Sequence, residues 1–372
     1  MNGTDYTMAS GESRIARIAS EAGETRLVSV GSTRTTWLAR CELLTAKAVI
    51  ALILCTAGVE AAAWRHVTEA EGLAGRQIQF IKRCGDDIWV GTLQGLTVFR
   101  NGKPTSVLKG DATWDVLPLA NDDVWIGTGN GVVRQTRGAS KRSLPGESVG
   151  RILPFGAKTV WALCTKEDRS RVMEFSAGTW QPVPAFKKAT VTNMHPTRNG
   201  NIWVVLKADG IVEANPAQEP AKWIHHQRGF NITAFYEDEE QRVWCGTWAR
   251  GILMHEGDTW TRTLQQEDGA VTAIRKDGKG NVWAATNDRG LWQYDGTKWI
   301  NHLKEEGTIN MLEVATGGRV LVSSQSVCSL RQWNGKGWDV LVDVPTMFLT
   351  TVYDSNGKVW AGNILDGLYI EP

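Results

Sequence analysis

One phrase recurs eight times between Trp89 and the C-terminus: an apolar residue, a Trp, a small residue two positions on, then Gly and an apolar residue. Clear copies read Ile88-Trp89-Val90-Gly91-Thr92, Val124-Trp125-Ile126-Gly127-Thr128 and Val243-Trp244-Cys245-Gly246-Thr247. Looser copies centre on Trp161, Trp203, Trp283, Leu321 in place of Trp, and Trp360, so successive anchors lie 36, 36, 42, 41, 39, 38 and 39 residues apart. A period of roughly 40 residues restricts the chain to propeller blades or helical arrays. A helical array needs apolar residues every three or four positions across a long window. The Trp283 unit instead spells Val271 to Ile274, Asn281 to Ala285, Leu291 to Tyr294 and Trp299 to Ile300, divided by Asp, Asn and Gly turns. That is one four-stranded blade.

Small residues two positions after the anchor (Gly91, Gly127, Gly246, Ala285, Ser323, Gly362) leave room for a ring from the neighbouring blade. Leu163 and Val205 take that position in two units, whose blades should pack differently. A second Trp marks the outer strand at Trp180, Trp223, Trp260, Trp299 and Trp338. The last unit has none, and Trp64 stands at the missing phase ahead of Trp89. The expected fold is therefore all-β: a single eight-bladed β-propeller over 64–372, closed by pairing Trp64 to Val67 with the last blade. A seven-bladed ring is the alternative. Closure removes an open pairing edge.

The repeat, with a D-x-x-G turn before it as in Asp277-Gly278-Lys279-Gly280 and Asp354-Ser355-Asn356-Gly357, resembles the two-component regulator propeller repeat over about residues 64–372. The resemblance implies an extracytoplasmic sensor propeller, in a family often joined to histidine kinases and tied to polysaccharide sensing. The short stretch after Trp360 leaves no room for a kinase, so a stand-alone copy is expected.

Ala48 to Gly58 is apolar, follows Lys47 and precedes Val59-Glu60-Ala61-Ala62-Ala63. Residues 47–63 read as a cleavable signal peptide and 1–46 as a disordered extension or a mis-assigned start. The apolar stretch is about half the roughly 20 residues a permanent span needs. A periplasmic or secreted monomer is expected. Cys84, Cys164, Cys245 and Cys328 fall in separate units without C-x-x-C, which predicts isolated buried thiols and no structural bridge.

With 41 basic and 40 acidic residues, the net charge of +1 and the lack of a basic stripe argue against nucleic-acid binding. Function should gather on the upper face, where turns between second and third strands meet the blade-to-blade connections. Candidate ligand-binding residues there are Trp248, Arg250, Asn287, Asp288, Arg289, Lys207, Asp209, Asp168, Arg169, Asn363 and Asp366, with Gln94, Asn130 and Lys166 beside them. Trp248 followed by Arg250 is the sharpest, an arrangement suited to sugar stacking or peptide anchoring. Asp209 and Asp288 could in principle form a carboxylate pair for glycoside cleavage, although each more often caps its own turn. His225 and His226 point to opposite faces of a strand. No metal-ligand spacing, phosphate loop or cofactor motif appears. The expected function is an exported non-catalytic propeller binding a glycan or protein partner, possible sensor component, without a cofactor. The alternative is a propeller-type polysaccharide lyase or hydrolase using Arg, Asp and His195 around the central funnel.

Overall fold

Runs of three to eight extended residues, cut by Gly, Asp and Asn turns, fold every repeat into one antiparallel sheet of four strands. The computed structural model describes residues 63–137, 139–265, 269–315 and 318–372. The expectations for 1–46, and for the leader up to residue 62, lie outside these residues. Eight such sheets form the propeller, so the count is eight and not seven. In the sixth blade the strands are Val271–Lys276, Val282–Thr286, Leu291–Tyr294 and Trp299–Asn301, the four expected from the sequence. In most seams the first strands of neighbouring blades touch, which places them around a central channel. All eight first strands carry a bulge near their start, after the first paired residue in seven, as between Val271 and Ala273, and after the second, Val149, in the third blade.

The ring closes through the first described strand. Arg65–Val67 is the fourth strand of the last blade, with Arg65 opposite Ile370, His66 opposite Tyr369 and Val67 opposite Leu368. Val67 and Leu368 are fully buried, and the His66 ring stacks on Tyr369 at 4.6 Å.

The D-x-x-G turn has a second use that explains its spacing from the Trp. Asp277 accepts from the backbone N–H of Lys279 and Asn281 at 2.9 Å, and its other oxygen accepts from the Trp283 indole at 2.9 Å. Asp238 and Asp354 hold Trp244 and Trp360 in the same way, at 3.1 and 3.2 Å. A carboxylate six residues ahead thus satisfies a buried donor that would otherwise cost free energy. Trp161 uses Glu174 instead, while the indole N–H groups of Trp89 and Trp125 have no acceptor among the described residues.

The small residue two positions after the anchor admits the next blade in three units, with a correction to what fills the room. At Gly127, Gly246 and Gly362 it is an aliphatic residue or backbone of the next first strand (Val149, Val271, Ile78), and at Gly91 it is Phe80 of the same blade. Leu163 and Val205 occupy that room themselves and are buried. The seams after these two blades each carry a cleft, described below. All four described cysteines are free. Cys164 and Cys245 are buried, but Cys84 and Cys328 are only half-buried, which corrects the expectation of four buried thiols.

Candidate binding site on the upper face

The turns between second and third strands are built by the Thr that ends the repeated phrase. Thr247 and Thr286 are buried, donate to Gly251 O and Gly290 O at 2.8 Å, and accept from the N–H of Arg250 and Arg289 at 2.9 and 3.0 Å. Gly290 takes a φ of +68°, and a Cβ there would lie 1.8 Å from Leu303 O, so only Gly fits. Each turn is thereby a rigid mount for whatever stands at its tip.

Trp248 stands at such a tip and is 57 % exposed. Its backbone N–H donates to Asn231 O at 3.0 Å, tying the turn to the connection from the fourth blade. On that connection lies Phe230, with the guanidinium groups of Arg250 and Arg262 over its ring at 4.9 and 5.9 Å. Asp209 and Arg228 form an ion pair at 3.8 Å, and the His225 ring meets Asp209 O at 2.6 Å. The sequence reading missed Arg228 and Phe230, whose connection carries no repeat signal, and Arg262, which stands on the outer strand Thr259–Leu264 of the fifth blade.

A second cluster lies at the seam of the third and fourth blades. Counted from the anchor Trp, the hairpin Thr159–Lys166 and Arg169–Ser176 runs two pairs past that of the second blade and three past that of the fourth, ending at Lys166 opposite Arg169, with Glu167 at φ +54° in its turn. The second and third strands of this blade thus form a taller hairpin than those beside it. Opposite it, the short 3-10 turn Pro184–Phe186 buries Phe186 against Trp161 and Trp223 and so projects Lys187 and Lys188 outward. A cleft of about 520 Å³ opens between the two elements. Lys207 adjoins it, since its N–H donates to Thr190 O at 2.9 Å and Thr190 lines the cleft.

The remaining candidates separate. Asp168, Arg169, Lys207, Arg250, Asp288 and Arg289 are exposed on the upper turns. Asn287 is half-buried and accepts from Ala270 N–H at 2.8 Å, holding its own turn. Asn363 is fully buried, with Thr346, Leu365 and Asp366 as partners, and presents nothing at the surface; it leaves the candidate site. Asp366 accepts from the Tyr369 hydroxyl at 2.5 Å and meets His66, so it serves ring closure. Asp209 and Asp288 belong to turns of the fourth and sixth blades, with the fifth between them. Of the residues beside the site, Gln94 and Asn130 are tied into their own turns through Thr92 and Thr128.

The central channel is lined by ion pairs of the first strands, Lys82 with Asp115 at 2.8 Å and Arg275 with Glu313 at 3.2 Å. His195 stacks on Phe235 at 4.6 Å, keeping limited contact with channel water but enclosed by its wall. Burial, then the cations Arg151 and Arg275, push its pKa from 6.5 down to about 3. A proton that the unfolded chain accepts below its ordinary value is refused by the fold, so this stability is complete above pH 6.5 and is lost as pH falls towards 3. The expected result is an unfolding temperature that declines between pH 6.5 and 4 in the parent and less so in His195→Gln; parallel profiles would contradict it. The second cleft, on the lower face, brings Glu213, Glu237, Glu240, Glu256 and His255 together beside Trp203. His226 stacks on Trp203 at 5.0 Å and contacts Glu213 at 3.5 Å, on the face opposite to His225 as expected.

No family model matches the chain, and no curated protein matches it in sequence. Solved structures do match. The Dos1 propeller superposes with a TM-score of 0.60 at 12% identity, covering 83% of this chain and 93% of that one. The extracellular domain described as part of the hybrid two component system BT4673 from B. thetaiotaomicron gives 0.50 at 12%, covering 80% of this chain and 50% of that one. Virginiamycin B lyase from Staphylococcus aureus gives 0.52 at 10%, covering 82% and 97%. At these identities the likeness is one of fold: the chain is a β-propeller. Among the described residues no helix is long and apolar enough to cross a membrane.

Proposed function

We propose that this chain is an exported, non-catalytic propeller that binds a glycan or protein partner on its upper face, as a sensor component of the two-component regulator propeller type. The observation that carries the reading is Trp248, exposed at the tip of a turn otherwise built for rigidity, beside the Arg250, Phe230 and Arg262 stack. An indole exposed to this extent loses hydration favourably only when something covers it, and Trp and Arg are the residues that most often anchor partners. The apolar segment 48–58 supports export. The rival reading, a polysaccharide lyase or hydrolase, needs a base poised near neutrality. His195, held down to about 3, is poorly matched to that task, and Asp209 is engaged by Arg228 and His225.

Glycan arrays and partner pull-downs with the parent and with Trp248→Ala test the reading. The variant is expected to bind at least about tenfold more weakly while its stability stays within about 0.5 kcal/mol, as for an exposed side chain. Equal binding by both proteins would sink the assignment of Trp248. New chain ends appearing in a polysaccharide panel would favour the enzyme.

A further inference from the structure

We propose that the cleft between the third and fourth blades is a subsite for an acidic polysaccharide, a sugar chain bearing carboxylate or sulfate groups. This rests on the upper-face reading and names its ligand class. Lys166, Arg169, Lys187 and Lys188 all line the cleft, and among the described residues none of them has an ion-pair partner. Arg171, also in the lining, is paired with Glu147, and Glu167 is the one acid the lining contributes. The chain as a whole is balanced at +1, so this concentration of positive charge is not a by-product of a basic protein. Like charges gathered in about 520 Å³ repel one another, and an anion shared among them relieves that repulsion.

The backbone beneath the charges is fixed. Lys166 and Arg169 are the terminal pair of the hairpin, and the buried Phe186, with Lys187 N–H to Pro184 O at 3.2 Å and Ala189 N–H to Phe186 O at 3.1 Å, holds the lysine segment. The Arg169 guanidinium offers the planar fork that suits carboxylate and sulfate.

The rest of the lining selects among polyanions. Apart from Ala189 it contains no apolar side chain and no aromatic ring. A single-stranded nucleic acid therefore finds no platform for its bases, and a protein partner finds no pocket for an apolar anchor. A hydroxyl-rich chain with regularly spaced anions needs neither, and Thr190 and Ser170 offer hydroxyl groups to it.

The test is titration calorimetry on the full chain at low salt with polygalacturonate, dextran sulfate, uncharged dextran, poly-glutamate and an oligo-thymidylate. Polygalacturonate, dextran sulfate or both should bind at least about tenfold more tightly than dextran and more tightly than the last two probes; these two arms distinguish carboxylate from sulfate. Raising the salt to about 0.3 M should weaken binding, because exposed charges are screened. The double variant Lys187→Glu and Lys188→Glu should lose at least about tenfold in affinity with an unchanged unfolding temperature, and Lys187→Gln with Lys188→Gln should fall between. Dextran binding as well as the acidic chains, the charge-reversed variant binding like the parent, or poly-glutamate or the oligonucleotide binding more tightly would each overturn the proposal. Should Trp248→Ala abolish binding of a neutral glycan or a partner while the acidic chains show no preference, the subsite falls and the upper-face reading stands. If nothing binds in either experiment, both fall.

Discussion

A chain beginning at Thr68 is expected to lose about 3 to 5 kcal/mol of stability and to self-associate. The missing strand contributes the fully buried Val67, whose burial alone is worth about 1.5 to 3 kcal/mol, together with the ladder to Leu368, Tyr369 and Ile370 and the packing of Trp64. Without it, Gly367–Ile370 becomes an open edge, the kind of surface that pairs with another chain. At roughly 2 to 4 °C per kcal/mol for a domain of this order, the unfolding temperature should drop by about 6 to 20 °C. A rescue in cis separates ring closure from a general effect of truncation. Ala63 to Val67 appended after Pro372 would return as a hairpin, because Ile370 lies directly opposite Arg65 and only a short connection intervenes. Calorimetry and light scattering should show the permuted chain regaining most of the lost stability as a monomer. Truncation without effect, or a permuted chain no better than the truncated one, would contradict closure by this strand.

Trp283→Ala is expected to cost about 3 to 5 kcal/mol, the range for deleting a large buried aromatic. The ring is fully buried among Leu291, Ile309, Leu312 and Val320, and it stacks edge-on to Trp333 and Trp338 at 6.0 and 6.2 Å. Since whole domains are stable by only about 5 to 15 kcal/mol, this single change takes a large fraction of the total. Its Asp277 partner makes the effect diagnosable. Asp277→Ala in the parent leaves the buried indole N–H without an acceptor and should cost about 1 to 3 kcal/mol, and the double variant should cost less than the sum. Urea unfolding reads all three. Strict additivity would mean that the Asp and the Trp six residues on are not coupled, despite the 2.9 Å bond between them.

The sequence made the blade legible because its repeat is a packing requirement: a Trp to fill each blade, a small residue beside it, and a Gly where the turn allows no Cβ. Ring closure was legible by the same logic, since Trp64 stood at the phase the last unit lacked. The Thr of the repeated phrase was visible but its use was not, because the bonds from Thr247 and Thr286 to their turns appear only once the backbone is placed. The site was less legible. Lys187 and Lys188 face Lys166 and Arg169 across a seam, an adjacency set by tertiary packing. A hint lay in Leu163 and Val205, the large residues that broke the repeat, at whose seams the clefts open. Asn363 was misplaced as a ligand residue because it occupies the Thr position of its repeat, where the side chain turns inward to hold the loop.

The central claim is that the upper face is the binding face. Hydrogen exchange on the full chain with and without saturating polygalacturonate or dextran sulfate tests it most directly, because it reports on both faces of every blade at once. Added protection is expected at Lys166 to Arg169, Lys187 to Thr190 and the turns around Phe230 and Trp248, with none at the lower turns led by Asp238, Asp277 and Asp354. Protection concentrated on those lower turns would contradict the account, and protection nowhere would overturn the acidic subsite.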